Sequence, residues 1–460
     1  MRGAAKRYLG LLGGALVCLA VCLLPLQGLS REGRLCLGLT LMAVIWWAAQ
    51  VAQSGYVSGI YLMLLCLFQV AEPAVVFSAW TGSAIWLVIG AYLIACAVRS
   101  SGLGERLSYL FILRFVRSWR SMILSIFALT LILSLLIPHP WPRAFLIMSV
   151  MTVVIQAAGL PQRDAAAVGF AVFAASVPVS LIFLTGDATI NPLAASYAGE
   201  PVSFLRWLLV FGPPAALLSL LTMALILLLF QPSGPVSVDL DRVRAAQAKL
   251  GKLSEREIRT LLWLCVAVVL WITNGMTGLD IGWITLLVPM AMSLPVIGGV
   301  LEPKDWGEVP VHVMVFLTAA IAIGKVGAVT GMNRWIADTL MPGVLPENPA
   351  LLALCVCLLS VVIHMFMGSV IAVMGVTIPA FLAFTQGSGV APLAVIGMVY
   401  LSVAGHYALP FHHLNMLVGQ GAEKGMYGQR ETLRMSLPLL GALLLTMLVS
   451  AGWWSVLGLL

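Results

Sequence analysis

Long apolar runs alternate with short polar interruptions along the whole chain. Runs able to span a hydrocarbon layer of about 30 Å fall at about 8–29, 35–53, 56–71, 83–98, 121–137, 144–160, 165–184 and 203–230. The second half adds about 259–275, 281–300, 310–328, 349–364, 370–386, 391–409 and 433–457. The run 8–29 follows Arg2, Lys6 and Arg7, exceeds the apolar core of a typical signal peptide, and has no small-x-small site behind it. It reads as the first membrane helix. The pattern predicts an all-α integral membrane protein. Two neighbouring pairs of runs, 121–160 and 349–386, are read as re-entrant hairpins, which leaves about 11 transmembrane helices.

Charge placement motivates the hairpins. Positive residues favour the cytoplasmic side of a membrane. With the N-terminus in the cytoplasm and both pairs returning to their own side, five lysines and arginines (Arg31, Arg34, Arg206, Lys325 and Arg334) lie outside. Arg143 is left inside the membrane, and the other 19 of 25 are cytoplasmic. The C-terminus then ends outside, and the expected location is the cell (inner) membrane. The stretch Gly104–Arg120 alternates arginines with large apolar residues and predicts a helix lying on the inner leaflet. Residues 231–258 are the only polar stretch of any length and predict a cytoplasmic linker with a short helix. The expected divisions are 1–98, N-terminal membrane helices; 99–230, a first core; 231–258, the linker; and 259–460, a second core.

Composition agrees. Only 9% of residues are charged and 61% are hydrophobic, against roughly 25% charged in soluble domains. The net charge of +7 is accounted for by orientation, so no nucleic-acid partner is expected. The eight cysteines sit in or beside apolar runs without a metal-binding spacing, and read as packing residues. No metal site and no cofactor are expected.

The two cores resemble each other. Residues 133–148 (LSLLIPHPWPRAFLIM) align without gaps on 359–374 (LSVVIHMFMGSVIAVM). Downstream, the stretch from Thr185 pairs with that from Leu409, and Asn191 matches Asn415. The topology puts the copies in opposite orientations, so an inverted repeat is expected, with the site at the repeat interface. Pro138, Pro140 and Pro142 break the first hairpin, because proline lacks an N–H and clashes with the preceding turn. Broken backbone at membrane depth persists only where protein or a water-filled cavity satisfies it. Such breaks expose helix N-termini to anions and loose carbonyls to cations.

The order of hairpin, broken helix with an Asn, linker, hairpin and broken helix with an Asn resembles the divalent anion/sodium symporter family, carriers of dicarboxylates, citrate or sulfate. The resemblance covers nearly the whole chain in layout. The family's Ser-Asn-Thr tips are replaced here by Pro138–Ala144 and by Met367-Gly-Ser369-Val. The loops keep Thr185, Gly186, Thr189 and Asn191 in one half, and Pro410 and Asn415 in the other. The resemblance implies a small-anion secondary transporter, an elevator motion and a homodimer. The altered tips leave sodium coupling and dicarboxylate preference open.

Arg143, at the first tip, is a functional candidate because an arginine inside a membrane is costly. It reads as a fixed positive charge in place of sodium, as a fork onto an anion, or as half of a structural ion pair. Asp187 reads as its partner, a cation ligand or a proton carrier. His139, His364, His406, His412 and His413 lie in or beside the breaks and suit a proton-coupled cycle. The expected substrate-binding set is Pro142, Arg143, Thr185, Gly186, Thr189, Asn191, Gly368, Ser369, His412, His413 and Asn415. The expected ion-coupling set is His139, Asp187, Asn191 and Asn415, with Na+ or H+ as the ion and exchange as a third mode. Rival readings are a cation/proton antiporter centred on Asp187 and an integral membrane transferase; the repeat disfavours the latter, and the protein is expected not to be an enzyme.

Overall fold

In the computed structural model, which describes residues 2–340, 346–409 and 412–460, the chain is helical, with no strand among the described residues. Helices α1 (Arg2–Leu23) and α2 (Arg31–Ala49) form an antiparallel pair. Glycines let their backbones approach closely: a Cβ on Gly38 would lie 3.1 Å from the Cys18 carbonyl oxygen. Next come α3 (Ser54–Leu67), the single turns α4 (Pro73–Val76) and α5 (Ser78–Thr81), and α6 (Ala84–Ser101).

The helix expected over 104–120 is two helices. α7 (Leu103–Phe115) stops where Val116 turns extended, and α8 (Trp119–Leu136) starts from a Ser118 cap with Ser121. Arg120 therefore belongs to the first arm of the first hairpin. A turn at Ile137–His139 leads into the second arm, α9 (Pro140–Ala157). Proline at the first helical position costs nothing, since that N–H has no intrahelical acceptor. α10 (Gln162–Ala175) then breaks, passes a 3-10 turn at Val179–Leu181, and resumes as α11 (Ile190–Ser196) before α12 (Phe204–Leu229).

The expected linker helix is α13 (Leu240–Ala248). The linker is tied down at both ends. Asp164 accepts hydrogen bonds from the Ser233 amide and hydroxyl, each at 2.9 Å. Arg106 donates to the carbonyls of Leu250, Gly251 and Lys252 and pairs with Glu257 at 2.6 Å. Glu257 also caps α14 (Glu255–Thr277) with Ser254.

The second half continues with α15 (Ile281–Ser293), α16 (Val311–Val329), α17 (Met332–Leu340), α18 (Pro349–Met367), α19 (Val370–Phe384), α20 (Pro392–Ala404), α21 (Leu414–Val418) and α22 (Gln429–Val456). Its order repeats the first: a helical hairpin (α18, α19), a helix that breaks (α20, α21) and a long helix. Asn191 and Asn415 each take the second position of the short resumed helix, as the sequence match predicted. The hairpin register differs. The gapless alignment sets Pro140 against Phe366, whereas the structure starts the second arms at Pro140 and Val370. The shift is four residues, about one helical turn, because leucine-rich helices match themselves almost as well one turn away.

Among the described residues, eleven helical segments are long and apolar enough to cross a membrane. They are not the eleven expected crossings: they include α8, α9 and α18, while α3, α15, α19 and α20 are shorter. α19 has 15 residues, about 22 Å of helix.

Among the described residues, buried side chains form two clusters. The smaller joins α2, α3 and α16, with Tyr61, Leu65 and Phe316 at its centre. The larger takes in both hairpins, both broken helices, α6, α12 and α22.

Candidate functional site

A cavity of about 900 Å³ lies between the two clusters, where both hairpin turns meet both broken helices. Exposed Lys6, Arg7, Gln50, Gln53 and His312 form its rim. His139, Pro140 and Trp141 reach it from the first turn, and Met367, Gly368 and Ser369 from the second. Asp187 and Thr189 come from the first break, and His412, His413 and Asn415 from the second. A second cavity of about 520 Å³ shares Tyr92, His139 and Trp141 with the first and adds Arg99, Glu105 and Pro142.

The wall between the cavities is hydrogen-bonded. His139 Nδ1 accepts from the Trp141 amide at 3.3 Å, which places the ring proton on Nε2. That nitrogen lies 2.6 Å from the Tyr92 hydroxyl. Trp141 Nε1 donates to Asn415 Oδ1 at 2.6 Å, joining the first turn to the second break.

Arg143 is fully buried and does not line the cavity. Its guanidinium donates to the carbonyls of Ile137 at 2.9 Å and Gly186 at 3.1 Å, and to the Ser180 hydroxyl. It thereby ties the hairpin turn to the first break. The ion pairs among the described residues do not include one with Asp187. Asp187 instead caps α11, its Oδ1 accepting from the amides of Thr189 at 3.0 Å and Ile190 at 3.1 Å.

Asn191 also sits behind the cavity. Its Nδ2 donates to the carbonyls of Ser180 and Phe183, each at 2.9 Å, and its Oδ1 accepts from Tyr400 at 2.6 Å. Thr185 and Gly186 are packed beneath the same loop: Thr185 is fully buried, and a Cβ on Gly186 would lie 2.5 Å from the Ser180 carbonyl oxygen. The expected binding set therefore divides. Thr189, Gly368, Ser369, His412, His413 and Asn415 line the large cavity, with His139 and Asp187 of the coupling set. Pro142 lines the smaller one. Arg143, Thr185, Gly186 and Asn191 brace the first break from behind. Pro410 lies outside the described residues.

The second break is braced by histidines. His364 Nε2 lies 3.0 Å from the His412 carbonyl, and His413 Nε2 lies 3.1 Å from the Ala404 carbonyl, so both rings donate through Nε2. His412 Nδ1 accepts from the amides of Ala408 at 3.2 Å and Leu409 at 3.1 Å. Asn415 is 4% exposed, and its Nδ2 has no hydrogen-bond partner among the described residues.

Tyr92, Trp47, Phe316 and the rim pair Lys6–Arg7 were not legible as site residues. Tyr92, Trp47 and Phe316 are apolar or aromatic members of ordinary membrane runs, and Lys6 and Arg7 read as orientation charges.

The inner membrane protein YbhI of Escherichia coli is 22% identical over 408 residues, covering 84% of this chain and 83% of that protein. The chloroplastic dicarboxylate transporter 1 of Spinacia oleracea is 25% identical over 394 residues, covering 82% and 68%. The crystal structure of the YdaH transporter of Alcanivorax borkumensis shares the fold with a TM-score of 0.54 at 17% identity, over 93% of this chain and 99% of that one. The sequence profile of the sodium:sulfate symporter transmembrane region matches residues 5–460, and the chain belongs to that family of membrane transporters.

Proposed function

We propose that this protein is a secondary active transporter of small anions, and that it works without sodium, by exchange or by proton coupling. The observation that carries the reading is the cavity held between two hairpin turns and two broken helices, with a cationic rim of Lys6 and Arg7. Relatives include the sodium-dependent dicarboxylate transporter SdcS of Staphylococcus saprophyticus, so carboxylates head the substrates to test. With the orientation that positive charges favour, the rim faces the cytoplasm. The hairpins re-enter from opposite sides, and an elevator movement of hairpins and breaks within a homodimer would carry the site across.

Sodium independence is supported by how the loose carbonyls are used. A sodium ion needs several oxygen ligands. In the first half the Ile137 carbonyl of the hairpin turn and the Gly186 carbonyl of the break are held by the Arg143 guanidinium, a cation built into the chain. In the second, His364 and His413 hold the His412 and Ala404 carbonyls. Asp187 is the one acidic side chain lining the cavity among the described residues and is the candidate proton carrier.

The test is uptake into proteoliposomes of labelled succinate, sulfate and monocarboxylates, under imposed proton, sodium and counter-anion gradients. Accumulation driven by a proton or counter-anion gradient, unchanged when choline replaces sodium, is expected. A strict sodium requirement would remove the coupling reading. If no anion moves under any gradient, the transporter reading itself fails. Retained pH-driven accumulation in Asp187→Asn would remove the proton role of Asp187.

A further inference from the structure

The two hairpin turns offer very different surfaces to an anion. A helix N-terminus binds anions through the free N–H groups of its first turn. In α9 the first and third positions are Pro140 and Pro142, which have no N–H, and the amide between them, on Trp141, is taken by His139 Nδ1. The Trp141 indole N–H is spent on Asn415, and the Arg143 guanidinium faces away into carbonyls. The nearby N-terminus of α11 is already occupied by the Asp187 carboxylate. Around the first turn and break the cavity therefore meets proline rings, an indole and a carboxylate, with the Tyr92 and Thr189 hydroxyls as its neutral polar groups and no open amide in the first turn of α9; the cations of the first half, Lys6 and Arg7, stand at the rim.

The second turn is the opposite case. In α19 the amide of Ala372 is capped by Ser369 Oγ, which leaves those of Val370 and Ile371 as the open donors of the first turn. Both residues line the cavity. Asn415 independently supplies to the same cavity a buried Nδ2 that has no hydrogen-bond partner among the described residues. Trp47, Trp141, Phe316, Phe366 and Met367 furnish the apolar wall. A cavity of about 900 Å³ belongs to the size class that holds drug-sized ligands, of roughly 300–1,000 Å³.

We infer that the substrate carries a single anionic group, bound by the Val370 and Ile371 amides and Asn415 Nδ2, and a sizeable apolar or aromatic body lying against Trp141 and Phe366. This rests on the transporter reading and narrows it: dianions such as succinate or sulfate are poor substrates. A second carboxylate would meet Asp187 with no amide to receive it, and desolvating a charge without a partner is expensive.

Phenylacetate and succinate are the probes, with binding measured by isothermal titration to the purified full chain and transport by counterflow in proteoliposomes. Phenylacetate is expected to bind at least about tenfold more tightly than succinate, the ratio corresponding to one charge-assisted hydrogen bond, and to exchange across the bilayer. Succinate binding equal to or tighter than phenylacetate would overturn the inference while leaving anion transport standing. Failure of every anion to bind or move would overturn both.

Two variants separate the tips. Val370→Pro deletes one donor at a position where proline is tolerated, and is expected to weaken phenylacetate about tenfold. Pro140→Ala with Pro142→Ala restores two N–H groups at the first turn. It is expected to improve succinate binding by about tenfold, with phenylacetate binding held within about twofold as the check on folding. Unchanged succinate binding in a double variant that still binds phenylacetate would show that the missing amides are not what excludes the second charge, and would overturn the inference.

Discussion

Asn191 is the residue on which the first break depends most directly. One buried amide satisfies two carbonyls of the broken segment and accepts from Tyr400 on α20. Asn191→Ala would orphan both carbonyls and the Tyr400 hydroxyl, at a cost of about 2–4 kcal/mol. Tyr400→Phe removes one bond and leaves the Asn191 oxygen unpaired, at a cost of about 1–2 kcal/mol. Thermal unfolding of the detergent-solubilised protein should therefore fall in the order wild type, Tyr400→Phe, Asn191→Ala; equal midpoints would contradict this account. Arg143 acts in the same way at this scale. The sequence singled it out as a candidate for contact with an anion because an arginine inside a membrane is costly; in the structure it lies off the cavity lining, with its guanidinium on protein oxygens. Which groups satisfy it is a matter of three-dimensional contact, and the answer is backbone oxygen from the turn and the break.

At the scale of elements, the first hairpin meets the linker where the Asp239 amide donates to the Ala157 carbonyl at 3.3 Å, and meets the second break where Trp141 donates to Asn415. Gly169 of α10 faces the Gly425 carbonyl so closely that a Cβ would lie 1.6 Å from that oxygen. Gly169→Ala must therefore push α10 away from the 419–427 loop, and an expression screen in detergent should show loss of the monodisperse protein. The Asp164–Ser233 and Arg106–Glu257 contacts tie the linker to α10 and α7. Asp164→Ala with Arg106→Ala should release residues 231–252 to proteases added from the cytoplasmic side, while single surface-pair variants such as Arg244→Ala leave the linker resistant. The surface pair Arg244–Asp241 is exposed, and pairs of that kind contribute little. The order of elements was legible in the sequence, because apolar runs, proline breaks and the polar linker are all local signals. The hairpin register was not, since a leucine-rich helix matches itself one turn away. Only the positions of the turns at Ile137–His139 and Gly368–Ser369 decide it.

For the whole molecule, the charge distribution and the position of the cavity make one joint prediction. The N-terminus should be cytoplasmic and the C-terminus outside, so alkaline phosphatase fused after Leu460 should be active in the cell and a fluorescent protein fused there from a periplasm-incompatible variant dark; the reverse pattern would invert the orientation. On the same orientation, thiol labelling of a cysteine placed at Gln53, on the cavity rim, should proceed from the cytoplasmic side in membranes. Protection there would contradict the inward-facing placement.

What the sequence determined by itself is the solvent and the plan. Its few charges and long apolar runs demand lipid around most of the chain, and the asymmetry of lysine and arginine predicts an orientation for the fusion experiments to test. The proline breaks and the two asparagines mark where helices stop in the interior. These are local or summed properties, so they need no neighbours to be read. Tertiary structure alone decided what each marked residue does. Arg143 and Asn191 turn away from the cavity because the carbonyls freed by the break need donors. Asn415 turns one atom to Trp141 and leaves another open. Those outcomes depend on which groups from distant segments come within about 3 Å, the reach of a hydrogen bond, and no pattern along the chain encodes that distance.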